Sequence, residues 1–183
     1  MLLLGEPFNS KAAVGKHIND YGVELTNLLG YDIAKIIEFN ENNSFATIKG
    51  KYVKDDIEYS SRFKDNRIFL KDSKNYILKV FLEKKQMVAY FKDDNNESDY
   101  ISLIKDIQNE IYIPLFLDES ISEVIIGCIY LGTFESKRFD KFEDIIDDKV
   151  REMIGKMNVL CQVMHVQTLW SERNFGLFHV INI

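Results

Sequence analysis

The sequence is poor in the residues that staple or interrupt a chain: two cysteines, two prolines and nine glycines among 183 residues. Cys128 and Cys161 are far apart and show no framework spacing, which excludes a disulfide scaffold and suits a reducing compartment. There is no Pro-, Gly- or Ser-rich linker, no low-complexity tract and no internal repeat. Long hydrophobic runs are missing too. The longest, Val124 to Gly132, falls far below the roughly 20 residues of a spanning helix. The opening Met1-Leu2-Leu3-Leu4-Gly5-Glu6 has no basic flank and is too short for a signal-peptide core. The expectation is therefore a cytoplasmic chain without a membrane partner. Positive charge is also in deficit, 23 Lys and Arg against 29 Asp and Glu, net −6. Phosphate neutralisation needs a basic face, so a nucleic-acid partner is not expected.

What is present is the material of a globular core. Hydrophobic residues make up 46% and charged residues 28%, enough for one compact domain plus an appended element. From Ser10, a capping residue, to Leu29, the positions Val14, Ile18, Tyr21, Leu25 and Leu28 mark one helical face, and Gly30 ends it. Ile33–Phe39 and Phe45–Val53 read as strands around the turn residues 40–44. Residues 54–66 read as a loop or an extra strand, Arg67–Leu70 as a short strand, and Ser73 as the cap of a helix with Ile77, Val80 and Phe81. Met87–Phe91 reads as a strand, and the spacing of Tyr100, Leu103, Ile104 and Ile107 predicts a helix. Ile111–Leu117 and Glu123–Leu131 carry the strongest strand signal. The second is apolar almost throughout, which predicts a central strand covered on both faces.

From Asp140 the pattern is helical. Ile146, Val150, Met153, Met157, Leu160 and Met164 form an a/d heptad, narrow enough to predict a parallel two-chain contact and hence a homodimer. The repeat weakens at Gln167 and breaks near Ser171–Asn174. A second apolar stretch, Phe175–Ile183, stops without a cap, and the expectation is a piece of a longer protein.

The order of these elements, with several local motifs, resembles the GAF family. The motifs are Glu24 to Asp32, Val80 to Tyr90, Ile113-Pro114-Leu115-Phe116 through Val124 to Leu131, and Phe139 to Ile146. The resemblance covers about Ser10 to Lys156. In place of the glycine-rich turn that often precedes the family's middle helix stands Lys71-Asp72-Ser73-Lys74-Asn75. The resemblance implies an α+β fold, a central antiparallel sheet of five or six strands with helices on both faces and a long C-terminal helix. It implies a pocket for a small-molecule ligand, dimerisation through terminal helices, and control of an effector downstream. The expected organisation is an extension at 1–9, the sensory unit at 10–139, and a signalling and dimerisation helix at 140–183. Leu169 to Ile183 is similar to the junction leading into an HD-GYP domain, although the His-Asp metal pair of such a domain is absent.

Candidate chemistry is sparse, and no cofactor is legible. Cys161 and His165 share a helical face, but two ligands are too few for a metal site, so none is expected. Cys128 invites comparison with the GAF-like methionine-sulfoxide reductases, yet an apolar central strand predicts an inert thiol. A nucleophile needs a base and an orienting group, and His17, His165 and His179 all fall on terminal helices. No catalytic residue is assigned. Lys137 to Asp144 is faintly similar to the Asn-Lys-Phe-Asp-Glu signature of cyclic-nucleotide-binding GAF domains, though its acids also suit a helix N-terminus. Tyrosine buries area while keeping a hydroxyl for hydrogen bonding. The candidate pocket lining is therefore Tyr52, Tyr59, Arg62, Phe63, Arg67, Tyr76, Tyr90, Tyr100 and Tyr112. The reading is a non-catalytic sensory domain; the alternatives are a degenerate dimerisation and spacer module, or a cysteine-based redox sensor.

Overall fold

A computed structural model describes residues 11–40, 42, 44–55, 57–58, 60–61, 66–71, 74–91, 100–118, 124–136 and 146–180, with backbone alone at 11–15 and 170–180. The elements are α1 (Lys11–Leu29), β1 (Ile33–Phe39), β2 (Phe45–Val53), β3 (Arg67–Phe69), α2 (Tyr76–Glu83), β4 (Met87–Tyr90), β5 (Asn109–Phe116), β6 (Ile125–Thr133) and α3 (Asp148–Val180). The strands form one antiparallel sheet in the order β3-β2-β1-β6-β5-β4. Helices lie on both faces, an α+β architecture. The hairpin β1–β2 is closed by Asn40, whose side chain accepts from the Phe45 N–H at 2.8 Å. Gly30 ends α1 at φ 66°, a conformation that costs glycine little.

The two central strands, β1 and β6, are buried along their whole length, as two-sided coverage requires. On one face Ala34, Ile36, Ile111, Ile113, Ile129 and Leu131 meet Ile18 and Leu25 of α1 and Val150, Met153, Met157 and Leu160 of α3. On the other, Ile33, Ile37, Phe39, Cys128 and Tyr130 meet Ile77 and Val80 of α2 and the segment Leu103–Ile107.

The heptad stripe thus has an intramolecular use. Val150, Met153, Met157 and Leu160 are core residues of the single chain, and Ile146 and Met164 pack against the same cluster. The stripe is narrow because α1 lies alongside α3 and closes its flank.

Three elements differ from expectation. Residues 100–108 form no helix, although Leu103, Ile104 and Ile107 are buried. Their backbone groups bond elsewhere: Leu103 N–H to the Glu110 carboxylate, Lys105 N–H to Ser60 O, while Ser102 Oγ donates to Ile104 O. Asp106, at φ 62°, also breaks helical geometry. The cap of α2 is Asn75, whose side chain accepts from Ile77 N–H at 3.0 Å; Ser73 lies outside the described residues, as does Ser10. Finally, α3 begins at Asp148 rather than Asp140. Asp147 caps it by accepting from Val150 N–H at 2.8 Å, and it continues through 171–174 without a break. Residues 137–145, with the segment similar to a cyclic-nucleotide signature, lie outside the described residues.

Candidate functional site

Antiparallel pairing sends directly opposed side chains to the same face, so the register fixes which polar groups meet. Lys35 of β1 pairs with Tyr130 of β6, and Tyr130 with Tyr112 of β5. All three face α2, together with Glu110, two residues from Tyr112 on the same strand. Glu110 is 0% exposed. Its carboxylate accepts from Tyr112 OH at 2.7 Å, Tyr130 OH at 2.9 Å and Leu103 N–H at 2.9 Å.

Burial pushes the Glu110 carboxyl up to about 7, against the opposing pull of these three donors and of Lys35. Lys35 is pushed down to about 8, chiefly by burial, with Glu110 working the other way. Its ammonium lies 5.6 Å from the centre of the Tyr130 ring.

Above this pair stands a column of aromatic rings. Tyr112 meets Tyr130 edge-on at 5.3 Å, Tyr76 stacks on Tyr112 at 6.0 Å, and Tyr100 stacks on Tyr76 at 4.6 Å. Lys79 of α2 lies over the Tyr76 and Tyr100 rings. The column runs from fully buried Tyr112 and Tyr130 out to Tyr100, which is 36% exposed. Burial, with Tyr100 and Glu110 nearby, raises the Tyr76 phenol.

Of the nine candidate lining residues, Tyr76, Tyr100 and Tyr112 come together here. Tyr52 packs on the opposite face beneath α1, and Tyr90, paired with Asn109, also lies on that side. Arg67 belongs to the edge strand β3, on the α3 face. Tyr59, Arg62 and Phe63 lie outside the described residues. Sequence reasoning missed Glu110 and Lys35. Their signal was charge inside otherwise apolar strands, where a buried polar group is the informative exception.

Both thiols are buried. Burial pushes Cys128 well above the ordinary thiol value and does the same to Cys161, with Glu38 and Cys128 adding to the latter. Cys161 lies against Gly127 of β6, where an added Cβ would come within 3.2 Å of its sulfur. Among the described residues no three His, Cys, Asp or Glu side chains converge on a metal geometry. No helix among them is long and apolar enough to cross a membrane.

No family model matches the sequence, and no curated protein matches it. Solved structures do match the fold. The GAF domain of an Acinetobacter phosphoenolpyruvate-protein phosphotransferase superposes with a TM-score of 0.57 at 8% identity, over 91% of each chain. A phycocyanobilin-bound GAF domain from a cyanobacterial phytochrome gives 0.52 at 10% identity, over 88% of this chain and 97% of that one. The fold is the GAF fold. A type II free methionine-R-sulfoxide reductase from Thermoplasma acidophilum shares the GAF-like arrangement at a TM-score of 0.58 and 13% identity, over 85% of this chain and 94% of that one. At such identities the likeness is one of fold, and chemistry has to be argued from the residues.

Proposed function

We propose that the chain is a cytoplasmic, non-catalytic sensory domain that takes up a small molecule on its α2 face and passes occupancy through α3 to an effector. The observation that carries this reading is the aromatic column, exposed at Tyr100 and ending at the buried Glu110 and Lys35. Stacked rings supply apolar contact at low entropic cost, and two ionisable groups at the floor supply orientation. The fold supports it as well, since it is shared with the phycocyanobilin-bound GAF domain of a phytochrome. The effector belongs to the proposal, and HD-GYP is the class that the C-terminal stretch resembles. So does a homodimer, which has to use surfaces other than the stripe covered within one chain; light scattering tests it.

A second reading, a spacer that binds nothing, is favoured by the saturation of Glu110 with donors from its own chain. Native mass spectrometry of freshly purified protein separates the two. Sensing predicts a retained small molecule that is lost in Tyr76→Ala. A bare chain, whose melting temperature no metabolite mixture raises, favours the spacer.

A further inference from the structure

The α3 face carries a second polar site, remote from the tyrosine column. Glu38 of β1 pairs with Thr47 of β2, and Thr47 with Arg67 of β3, so three polar side chains form a row across adjacent strands on one face. With strands about 4.8 Å apart, Glu38 and Arg67 are separated by about 10 Å of backbone, a span their side chains can close around a small molecule. Lys49 joins the row through a β-bulge. The register passes from Ile36↔Gly50 to Ile37↔Ile48, which leaves Lys49 as the extra residue, and its ammonium reaches Glu38 Oε2 at 2.7 Å.

From above, α3 closes the row. Gly127 pairs with Glu38, and its missing Cβ lets Cys161 approach; one turn further on, His165 and Thr168 come over Glu38. The result is an open cleft of about 170 Å³ lined by residues that include Glu38, Thr47, Lys49, Arg67, His165 and Thr168.

The hydrogen bonding in this cleft is incomplete. Glu38 is 3% exposed, and its Oε2 is held by Lys49. Its other oxygen, Oε1, lies 3.3 Å from His165 Nδ1, yet both atoms are buried and neither completes a hydrogen bond. A buried polar group left without a partner bears its desolvation cost uncompensated, and a charged one more so. At the outer end of the row, the Arg67 guanidinium lies over the Phe45 ring and forms no ion pair among the described residues. Burial works to raise the Glu38 carboxyl, but His165 and Lys49 prevail and hold it below its ordinary value, so it stays an acceptor.

We propose that this cleft binds a small carboxylate carrying a hydrogen-bond donor beside the carboxylate, as in an α-amino or α-hydroxy acid. The carboxylate meets Arg67 and the Thr47 hydroxyl, while the donor turns toward Glu38 Oε1 and His165 Nδ1. Two cations against one buried carboxylate suit a ligand with an anionic end and disfavour a cation. The site is independent of the α2 face and stands whether or not that face binds anything.

The test is ¹H–¹⁵N NMR of the full chain titrated with L-alanine, L-lactate, acetate or inorganic phosphate. L-alanine or L-lactate should saturate near ~1 mM and bind at least about tenfold more tightly than acetate or phosphate. Whichever of the two prevails identifies the class. Shifts should be largest at Glu38, Thr47, Lys49, Arg67, His165 and Thr168 and smaller at Tyr76 and Tyr112. Arg67→Gln, at an exposed edge position, should weaken binding about tenfold while leaving the rest of the spectrum intact. The proposal fails if no probe shifts these residues, if acetate or phosphate binds as well, or if Arg67→Gln binds normally.

Discussion

Glu110 ties protonation to folding with a definite sign. Its carboxyl titrates at about 7 in the folded chain, against a reference value of 4.5. Between these values the folded state holds the proton more tightly, so stability falls as pH rises through that window, and above about 7 the cost is complete. The interval corresponds to about 3 kcal/mol. Lys35 acts in the opposite sense: its folded value of about 8 lies below 10.5, so its cost is present below about 8 and relieved as pH climbs toward 10.5. Glu110→Gln keeps one acceptor oxygen for Tyr130 and Leu103, turns an amide N–H toward the Tyr112 hydroxyl, which can accept it, and removes the titration. Its stability relative to wild type should therefore increase from pH 4.5 to about 7 and level off above. Urea unfolding across that range checks this, and parallel profiles for the two proteins would disprove it. Glu38, held low by His165 and Lys49, contributes the reverse, a stability lost as pH falls. The comparison must therefore be made between variants and not read from wild type alone.

At the scale of elements, α3 shows how one apolar pattern serves two geometries. A seam repeating every three or four residues fits a second helix, but it also fits a sheet when a neighbouring helix closes its flank. Met157 is fully buried in the single chain. Met157→Asp removes packing worth about 2–5 kcal/mol and buries an unpaired charge. Against a total of about 5–15 kcal/mol, the expected outcome is loss of the cooperative unfolding transition by circular dichroism. Val159→Asp, on the exposed side of the same helix, should change stability by no more than about 0.5 kcal/mol. If Met157→Asp instead unfolds as wild type does and only its mass by light scattering changes, the stripe is an interface and not core.

The same helix explains what was legible in the sequence. β1 and β2 were readable to the residue, because turn chemistry brackets apolar runs, and β6 was readable as central because its run up to Leu131 is apolar almost throughout. Segment 100–108 was not, since Leu103, Ile104 and Ile107 have helical spacing while their backbone bonds go to distant partners that local pattern cannot reveal. The candidate sites were half legible. Tyr76, Tyr100 and Tyr112 could be chosen by residue type, but Glu38, Lys35 and Glu110 acquire meaning only from strand register, which pairs positions far apart in sequence.

For the molecule as a whole, β1 is the common element of both faces: Lys35 belongs to the tyrosine column and Glu38 to the cleft under α3. Any displacement of the strand is felt on both sides, which gives the proposed sensing a direct mechanical route to α3. The position of β1 has another consequence, for the order in which the protein is made. Its hairpin partner β2 follows at once, but its other neighbour is β6, with Ile33 opposite Gly132. Such a pairing has high contact order, and closure of a long loop must precede any gain from it. During synthesis the ribosome therefore releases β1 with the backbone groups of its β6 edge unpaired and, although α1 is already made, with its α2 face bare, and that edge waits for about two thirds of the chain. A chain terminated after Leu117 should accordingly be recovered in aggregates, where the full chain stays in solution. Fractionation after cell-free translation would measure this, and a truncated product that remained dispersed would mean that the elements before β6 shelter β1 unaided.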